Sequence, residues 1–376
     1  MKILLTGGGG GGHFYPIIAV AEAIRKLVRV EKLIAPELYF MSDSPNNEKL
    51  LYENEIIFKQ VSAGKIRRYF SLLNFTDLFK TFFGALKAIA VVYGIYPDVV
   101  FGKGGYASFP ALLAARIFGI PVIIHESDSV PGKVNLWAGK FAVKVAVSYP
   151  EAARYFSADK VAYTGNPIRE SIKSPATADV REYFKFALDL PVILIIGGSQ
   201  GAELINDIVL GALPSLLQKY QIIHQTGKKQ FTLAKETAGV ALGEGSPLLA
   251  RYKVYEYLDD LPLKMAAVAA DVIVSRAGSA LFEIAAWGKP AIVIPITESN
   301  GDHQRENAYN FARKTGATVI EEENLSPNLF ESEISRLLVD PVKRAALGKK
   351  AKEFATTDAA DKIARELINI AIVHEL

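Results

Sequence analysis

The chain has 376 residues, 50% hydrophobic and 22% charged, enough for two domains that each bury a core without disulfides. Cysteine is absent, which excludes disulfide scaffolds, thiolate metal sites and cysteine nucleophiles. Lys plus Arg (43) against Asp plus Glu (40) leaves a net charge of +3, too slight an excess for a nucleic-acid binder. The opening apolar stretch is too short for a signal peptide, and the best candidate span, 82–96, is short and contains Lys87. These features predict a soluble, cytoplasmic protein.

The strands expected in the first half are 2–5, 38–41, 56–60, 99–101, 122–125, 144–147 and 161–163. In the second half they are 192–196, 221–225, 253–255, 272–274, 291–294 and 318–320. Each is β-branched or otherwise apolar, and most are followed by Gly, Ser, Asp or Pro. Stretches of helical period lie between them, such as 17–27 and 280–287, and the chain closes with helices over 340–355 and 359–372. Such alternation makes parallel sheets covered by helices on both faces, and two halves that each open with a strand and a glycine-rich turn predict two Rossmann-like domains. Turn signals at Gly165-Asn166-Pro167 and Ser174-Pro175 divide the chain into a domain over 1–165, a linker over 166–175 and a second domain over 176–376. The last helix has the option of packing back on the first domain.

Six consecutive glycines, Gly7 to Gly12, follow the first strand and lead into His13. Glycine exposes N–H groups at the positive end of a helix, where an anion or polar ligand can approach, and a bare turn needs fewer of them. An NAD site also fits, with Asp43 after the second strand, although a lone glycine loop does not specify it. The helix N-terminus disfavours an imidazolium at His13, which suits a general base. Gly197 to Ala202 form a second cradle of N–H groups with the Ser199 hydroxyl, not a P-loop, since no Lys-Ser/Thr follows. Ser275-Arg276-Ala277-Gly278-Ser279 leads into a helix bearing Glu283, which either grips vicinal hydroxyls, as on a ribose, or complements the helix dipole. The cluster from Asp302 to Asn307 suits sugar hydroxyls or is a solvated helix start.

Gly102 to Tyr106 and His125 to Asp128 lie at strand ends, so His13, Tyr106, His125 and Asp128 should share one rim; His125 reads as a buried, satisfied histidine. No His pair has ligand spacing and no two Asp are separated by a single residue, so no metal is expected and a diphosphate would meet helix N-termini and basic side chains. Residues 65–87 hold Lys65, Arg67, Arg68, Lys80 and Lys87 against Asp77, interleaved with aromatics such as Phe75, Phe79, Phe82 and Phe83. This suits an anionic membrane surface; the alternative is a core helix, because Leu78, Phe79, Phe82 and Phe83 have helical spacing.

In order, the glycine loop ending in His13, Lys103-Gly104-Gly105-Tyr106, His125-Glu126 with Pro131-Gly132, Gly165-Asn166-Pro167-Ile168-Arg169, Gly197-Gly198-Ser199-Gln200-Gly201-Ala202, His224-Gln225-Thr226-Gly227, Ser275-Arg276-Ala277-Gly278, Glu283-Ile284-Ala285 and His303-Gln304 with Asn307-Ala308 resemble the MurG family. These are bacterial N-acetylglucosaminyltransferases of the glycosyltransferase family 28 type. The resemblance implies a GT-B fold, two Rossmann-like domains with parallel sheets facing across a cleft. It implies inverting transfer of N-acetylglucosamine from UDP-N-acetylglucosamine to the 4-hydroxyl of undecaprenyl-diphospho-N-acetylmuramoyl-pentapeptide (lipid I), giving lipid II for peptidoglycan synthesis. No cofactor is implied; UDP-N-acetylglucosamine is a substrate.

The resemblance also implies roles. Gly10, Gly11 and Gly12, Arg169, and Ser199, Gln200 and Gly201 would face the donor, with the Ser199 loop on the diphosphate. Glu283 would hold the ribose, the backbone near Leu258 the uracil, and His303 and Gln304 the sugar. Tyr106 and Asp128 would lie on the acceptor side, with His13 or Asp128 as base. Implied partners are lipid I, an anionic membrane at the cytoplasmic face of the cell membrane, and other cell-wall synthesis proteins. Three departures stand out: Gly10 replaces a threonine, Asp128 replaces an asparagine, and the interval from Gly278 to Glu283 is one residue shorter. The rival readings are a related transferase with another lipid acceptor and a UDP-N-acetylglucosamine 2-epimerase.

Overall fold

Among the described residues, thirteen strands pair into two all-parallel sheets. The computed structural model describes the chain except residues 9, 65–71, 174–178, 198–201, 298 and 376, and the side chains of 72–75, 300 and 375. The first sheet holds β1 (Lys2–Thr6), β2 (Glu37–Ser42), β3 (Ile56–Gln60), β4 (Val99–Gly102), β5 (Val122–Glu126), β6 (Lys144–Val147) and β7 (Val161–Tyr163), in the order β3-β2-β1-β4-β5-β6-β7. The second holds β8 (Val192–Ile196), β9 (Gln221–Gln225), β10 (Tyr252–Tyr255), β11 (Val272–Ser275), β12 (Ala291–Val293) and β13 (Thr318–Val319), in the order β10-β9-β8-β11-β12-β13. All thirteen expected strands form, each bound within one residue of its expected place.

The chain divides into two units, Met1–Glu170 with Thr357–Leu376, and Ser171–Thr356. The last helix, Ala359–Glu375, thus belongs to the first unit. It lays Ile363, Ala364, Leu367, Ile368 and Ala371 into the same cluster as Ile17, Ala21, Ile24 and Val28 of helix Gly11–Glu31. Both helices repeat their apolar residues every three or four positions, so each presents one stripe to the sheet. In the second unit, Val209, Leu213 and Leu216 of helix Glu203–Lys219 meet Phe330, Ile334 and Leu337 of helix Pro327–Leu338.

Helix Leu72–Ile95 carries the described part of the aromatic stretch. Its stretch Thr76–Ile95, with mean hydropathy 1.6, is long and apolar enough to cross a membrane by length and composition, although it contains Asp77, Lys80 and Lys87. Ala88, Val92 and Ile95 pack in the core, whereas Leu78, Phe79, Phe82 and Phe83 are exposed, which goes against the core-helix alternative for these four residues. Period gives a stripe, and only the packing partner decides which stripe turns inward.

Candidate active site

In each sheet the order reverses beside the first strand of the unit, and ligands of such folds bind at the carboxyl ends of the strands there. In the first unit Thr6 is level with Gly102, and Gly102 with Ile124, so the loops after β1, β4 and β5 emerge side by side.

The glycine loop is packed as well as turned. Gly105 has φ +81°, and a Cβ there would stand 2.2 Å from the Gly8 carbonyl oxygen, so the loops after β1 and β4 touch backbone to backbone. Gly10, at φ 147°, precedes helix Gly11–Glu31, and the His13 N–H donates to its carbonyl at 3.1 Å. His13 is half-buried, and its Nδ1 lies 3.3 Å from the Lys103 carbonyl. A carbonyl only accepts, so the contact selects the Nδ1–H tautomer and leaves the ring's lone pair on Nε2.

Tyr106 donates its hydroxyl to Asp43 Oδ2 at 2.6 Å; burial and that bond push the phenol up to about 12. Asp43, considered only for the NAD alternative, is therefore part of this rim. After β5, buried Glu126 accepts the N–H of Asp128 (2.9 Å) on Oε1, and those of Gly132 (3.1 Å) and the Asn135 amide (2.9 Å) on Oε2. Burial, then the charge of Asp128, raise its carboxyl to about 7 against these donors. Asp128 itself is half-buried at the rim. His125 is buried, with Nε2 3.0 Å from the Gly165 carbonyl and 3.2 Å from Ser148 Oγ; burial holds it well below the usual histidine range. Arg169 is also buried in this unit, its guanidinium 4.0 Å from the Tyr15 ring centroid.

In the second unit Ser275 is level with both Ile196 and Val293. The loops after β8, β11 and β12 therefore share an edge. Ser199, Gln200 and Gly201 lie outside the described residues. Glu283 stands in the first turn of helix Ala280–Trp287 and is half-buried. Gln304 Oε1 accepts the Ile296 N–H at 3.2 Å, and His303 opens helix His303–Thr315 beside it. The Leu258 N–H donates to Gln225 Oε1 at 2.9 Å, which leaves its carbonyl as the backbone group to offer a base. Arg276 reaches the carbonyl of Ile294 (3.2 Å) and pairs with Glu322 at 2.6 Å. Burial pushes Glu322 up, but the Thr297 N–H and Arg276 outweigh it and hold the carboxyl below its usual range. Glu322 carries no motif; only its place opposite Arg276 reveals it. Among the described residues, no three His, Asp or Glu side chains converge as a metal site would require.

The glycosyltransferase family 28 N-terminal domain matches residues 3–147, and the family 28 C-terminal domain matches residues 192–363. A curated relative from Clostridium kluyveri, a UDP-N-acetylglucosamine–N-acetylmuramyl-(pentapeptide) pyrophosphoryl-undecaprenol N-acetylglucosamine transferase, is 37% identical over 96% of this chain and 97% of its own. The crystal structure of Acinetobacter baumannii MurG superposes with a TM-score of 0.70 at 25% identity, covering 98% of this chain and 99% of that one. A UDP-GlcNAc 2-epimerase from Neisseria meningitidis bound to UDP-GlcNAc reaches 0.67 at 17% identity, covering 98% and 100%, a likeness of fold alone.

Proposed function

This chain belongs to glycosyltransferase family 28, and from that membership together with its two rims we infer how it works. It transfers N-acetylglucosamine from UDP-N-acetylglucosamine to the lipid-linked N-acetylmuramoyl-pentapeptide, making lipid II for peptidoglycan. The observation that carries this reading is identity to the Clostridium kluyveri transferase over nearly both full lengths. The epimerase alternative has only the fold in its favour. Incubation with labelled UDP-N-acetylglucosamine and the lipid-linked muramoyl-pentapeptide should move label into the lipid phase. Label that stays aqueous, as the 2-epimer of the sugar nucleotide, would overturn the reading.

Inverting transfer needs a base for the attacking 4-hydroxyl and stabilisation of the departing UDP, and we assign these to different units. The first unit supplies the base. His13 in its Nδ1–H tautomer has Nε2 to accept a proton, and Asp128 is a carboxylate at the same rim. Tyr106 orients the acceptor. The second unit holds the donor: the loop from Ser199 to Gly201 and the helix it opens face the diphosphate, Glu283 the ribose, the Leu258 backbone the uracil, and Gln304 with His303 the sugar. Gly10, Gly11 and Gly12 present N–H groups at a helix start of the first unit, a set of donors that suits the donor substrate. Arg169 is proposed to face the donor, its guanidinium held by stacking on Tyr15. No cofactor takes part in these steps.

The first unit is also proposed to dock on the anionic cytoplasmic face of the membrane. Leu78, Phe79, Phe82, Phe83 and Leu86 are each about half exposed or more and recur every three or four residues on one face of helix Leu72–Ile95, with Lys80 and Lys87 beside them. Lys65, Arg67 and Arg68 lie outside the described residues. Flotation with anionic liposomes should recover the wild type and lose a Phe79→Ser/Phe82→Ser variant; equal recovery would count against the patch.

A further inference from the structure

Lys103 is a buried charge that the roles above do not use. It follows β4, is 1% exposed, and donates from Nζ to the Ser127 hydroxyl at 2.9 Å. A buried ammonium is costly unless an opposite charge compensates it, and a hydroxyl is neutral. The compensating charges are Glu126 and Asp128, in the turn after β5. Burial still brings the ammonium down to about 8. The backbone of the same residue ties down the opposite side of the rim: its N–H donates to the Thr6 carbonyl at 2.8 Å, and its carbonyl faces His13 Nδ1.

We propose that Lys103 is a positioning residue of the transfer reaction, whose buried ammonium is the counter-ion that keeps the Glu126–Asp128 turn charged and in place at the acceptor rim. The proposal rests on the reading of Asp128 as a group of that rim. Glu126 closes the turn by accepting three N–H groups, an arrangement that suits a carboxylate and not a carboxylic acid. Burial and Asp128 both work toward protonating it; the Asp128 N–H and the Asn135 amide oppose them first, and Lys103 adds the one cation among the opposing groups. The other groups facing this cluster are His13 from helix Gly11–Glu31 and His125 from β5, with Tyr149 near Asp128 and itself near Glu151 and Tyr163. His125 is held neutral by burial and cannot replace the cation.

The test uses the full chain, labelled UDP-N-acetylglucosamine and the lipid-linked muramoyl-pentapeptide, with kcat and KM measured across pH for wild type, Lys103→Met, Lys103→Arg and Asp128→Asn. Losing the cation removes one of the groups that lower Glu126, so its carboxyl should hold a proton to higher pH. The acid limb of kcat in Lys103→Met should therefore move up by about one pH unit or more, with KM for the sugar nucleotide within about twofold. Lys103→Arg keeps the charge, so its limb should stay at the wild-type position even where the bulkier head lowers kcat. An unmoved limb in Lys103→Met, whatever its kcat, would overturn the proposal and leave Lys103 as filling. Should Lys103→Met not fold, Lys103→Gln, which keeps a donor for Ser127, is read the same way. If Asp128→Asn keeps the wild-type profile while Lys103→Met still shifts it, the reading of Asp128 falls and the counter-ion role stands.

Discussion

The two units share a strand order and carry opposite chemistry on it. The loops after β1, β4 and β5 hold His13, Lys103, Glu126, Asp128 and the Tyr106–Asp43 pair, a rim dense in titratable groups. The loops after β8, β11 and β12 offer an amide in Gln304, backbone groups and the side chains of Glu283 and His303, with Arg276 after β11 tied to Glu322 after β13. A common topology thus sets where a site lies, and the loop residues decide what it can do. The first rim suits proton transfer, and the second suits holding a neutral sugar and a diphosphate by dipoles.

The sharpest way to break that contrast is to remove the base. Losing a general base costs about 10²–10⁴-fold in rate. If His13 is the base, His13→Ala should lose that much in kcat and keep only the part of the acid limb that the Glu126 turn sets, while Asp128→Asn keeps the part that His13 sets. A His13→Ala enzyme with near-normal kcat would transfer the role to Asp128. On the second rim the expected loss is in binding. Glu283→Ala should weaken UDP by about 1.5–3 kcal/mol, the value of a hydrogen bond to a charged group, with little change in the pH profile. Calorimetric titration showing unchanged UDP affinity would remove Glu283 from the ribose site.

The contrast was only half legible in the sequence. The strands were readable because those of a parallel sheet are buried on both faces, giving apolar runs such as Val192–Ile196 bounded by turn residues. Glycine loops announced the rims for a similar reason, since close backbone approach, as between Gly105 and Gly8, tolerates no side chain. The pairings were not readable. Tyr106 and Asp43 are 63 residues apart, and Arg276 and Glu322 meet only because the segments after β11 and β13 emerge on one edge, on either side of the end of β12. Lysine is ordinarily exposed, so nothing in the Lys103-Gly104-Gly105 run signalled a buried ammonium.

A smaller effect compares the buried histidines. In the second unit, His224 Nδ1 accepts the Tyr252 hydroxyl at 2.9 Å, and Nε2–H donates to Asn206 Oδ1 at 3.0 Å. Burial lowers His224 to about 3, so it stays neutral when folded. The unfolded chain takes up a proton near pH 6.5 that the native state refuses. Stability should therefore fall as pH drops below 6.5, by about 1.4 kcal/mol per unit from this group, until the folded value is reached. His224→Gln should be less stable at pH 7 but lose about 2 kcal/mol less than wild type between pH 7 and pH 5, read by urea unfolding. Equal losses would mean that His224 is protonated in the folded state.

The smallest expected effect tests whether the first rim is a catalytic surface throughout or has a part that only orients. Tyr106 is half-buried and its phenol, held at about 12, does not ionise in the working range, so it serves as a donor and not as a base. Its partner Asp43 lies 3.2 Å from Ser42 Oγ, whose one proton is shared with the Gly7 carbonyl at 2.8 Å, so the phenol is the stronger of the two donors to that carboxylate. Tyr106→Phe keeps the ring and removes one hydrogen bond of partial exposure, worth about 1 kcal/mol, a factor of about five. That factor should fall on KM for the lipid acceptor, with kcat and its acid limb unchanged, because the hydroxyl orients without exchanging a proton. A hundredfold fall in kcat would instead make Tyr106 part of the proton-transfer machinery. Unchanged kinetics on both substrates would take the phenol out of the acceptor rim and leave it as the strut that holds Asp43 against the glycine loop.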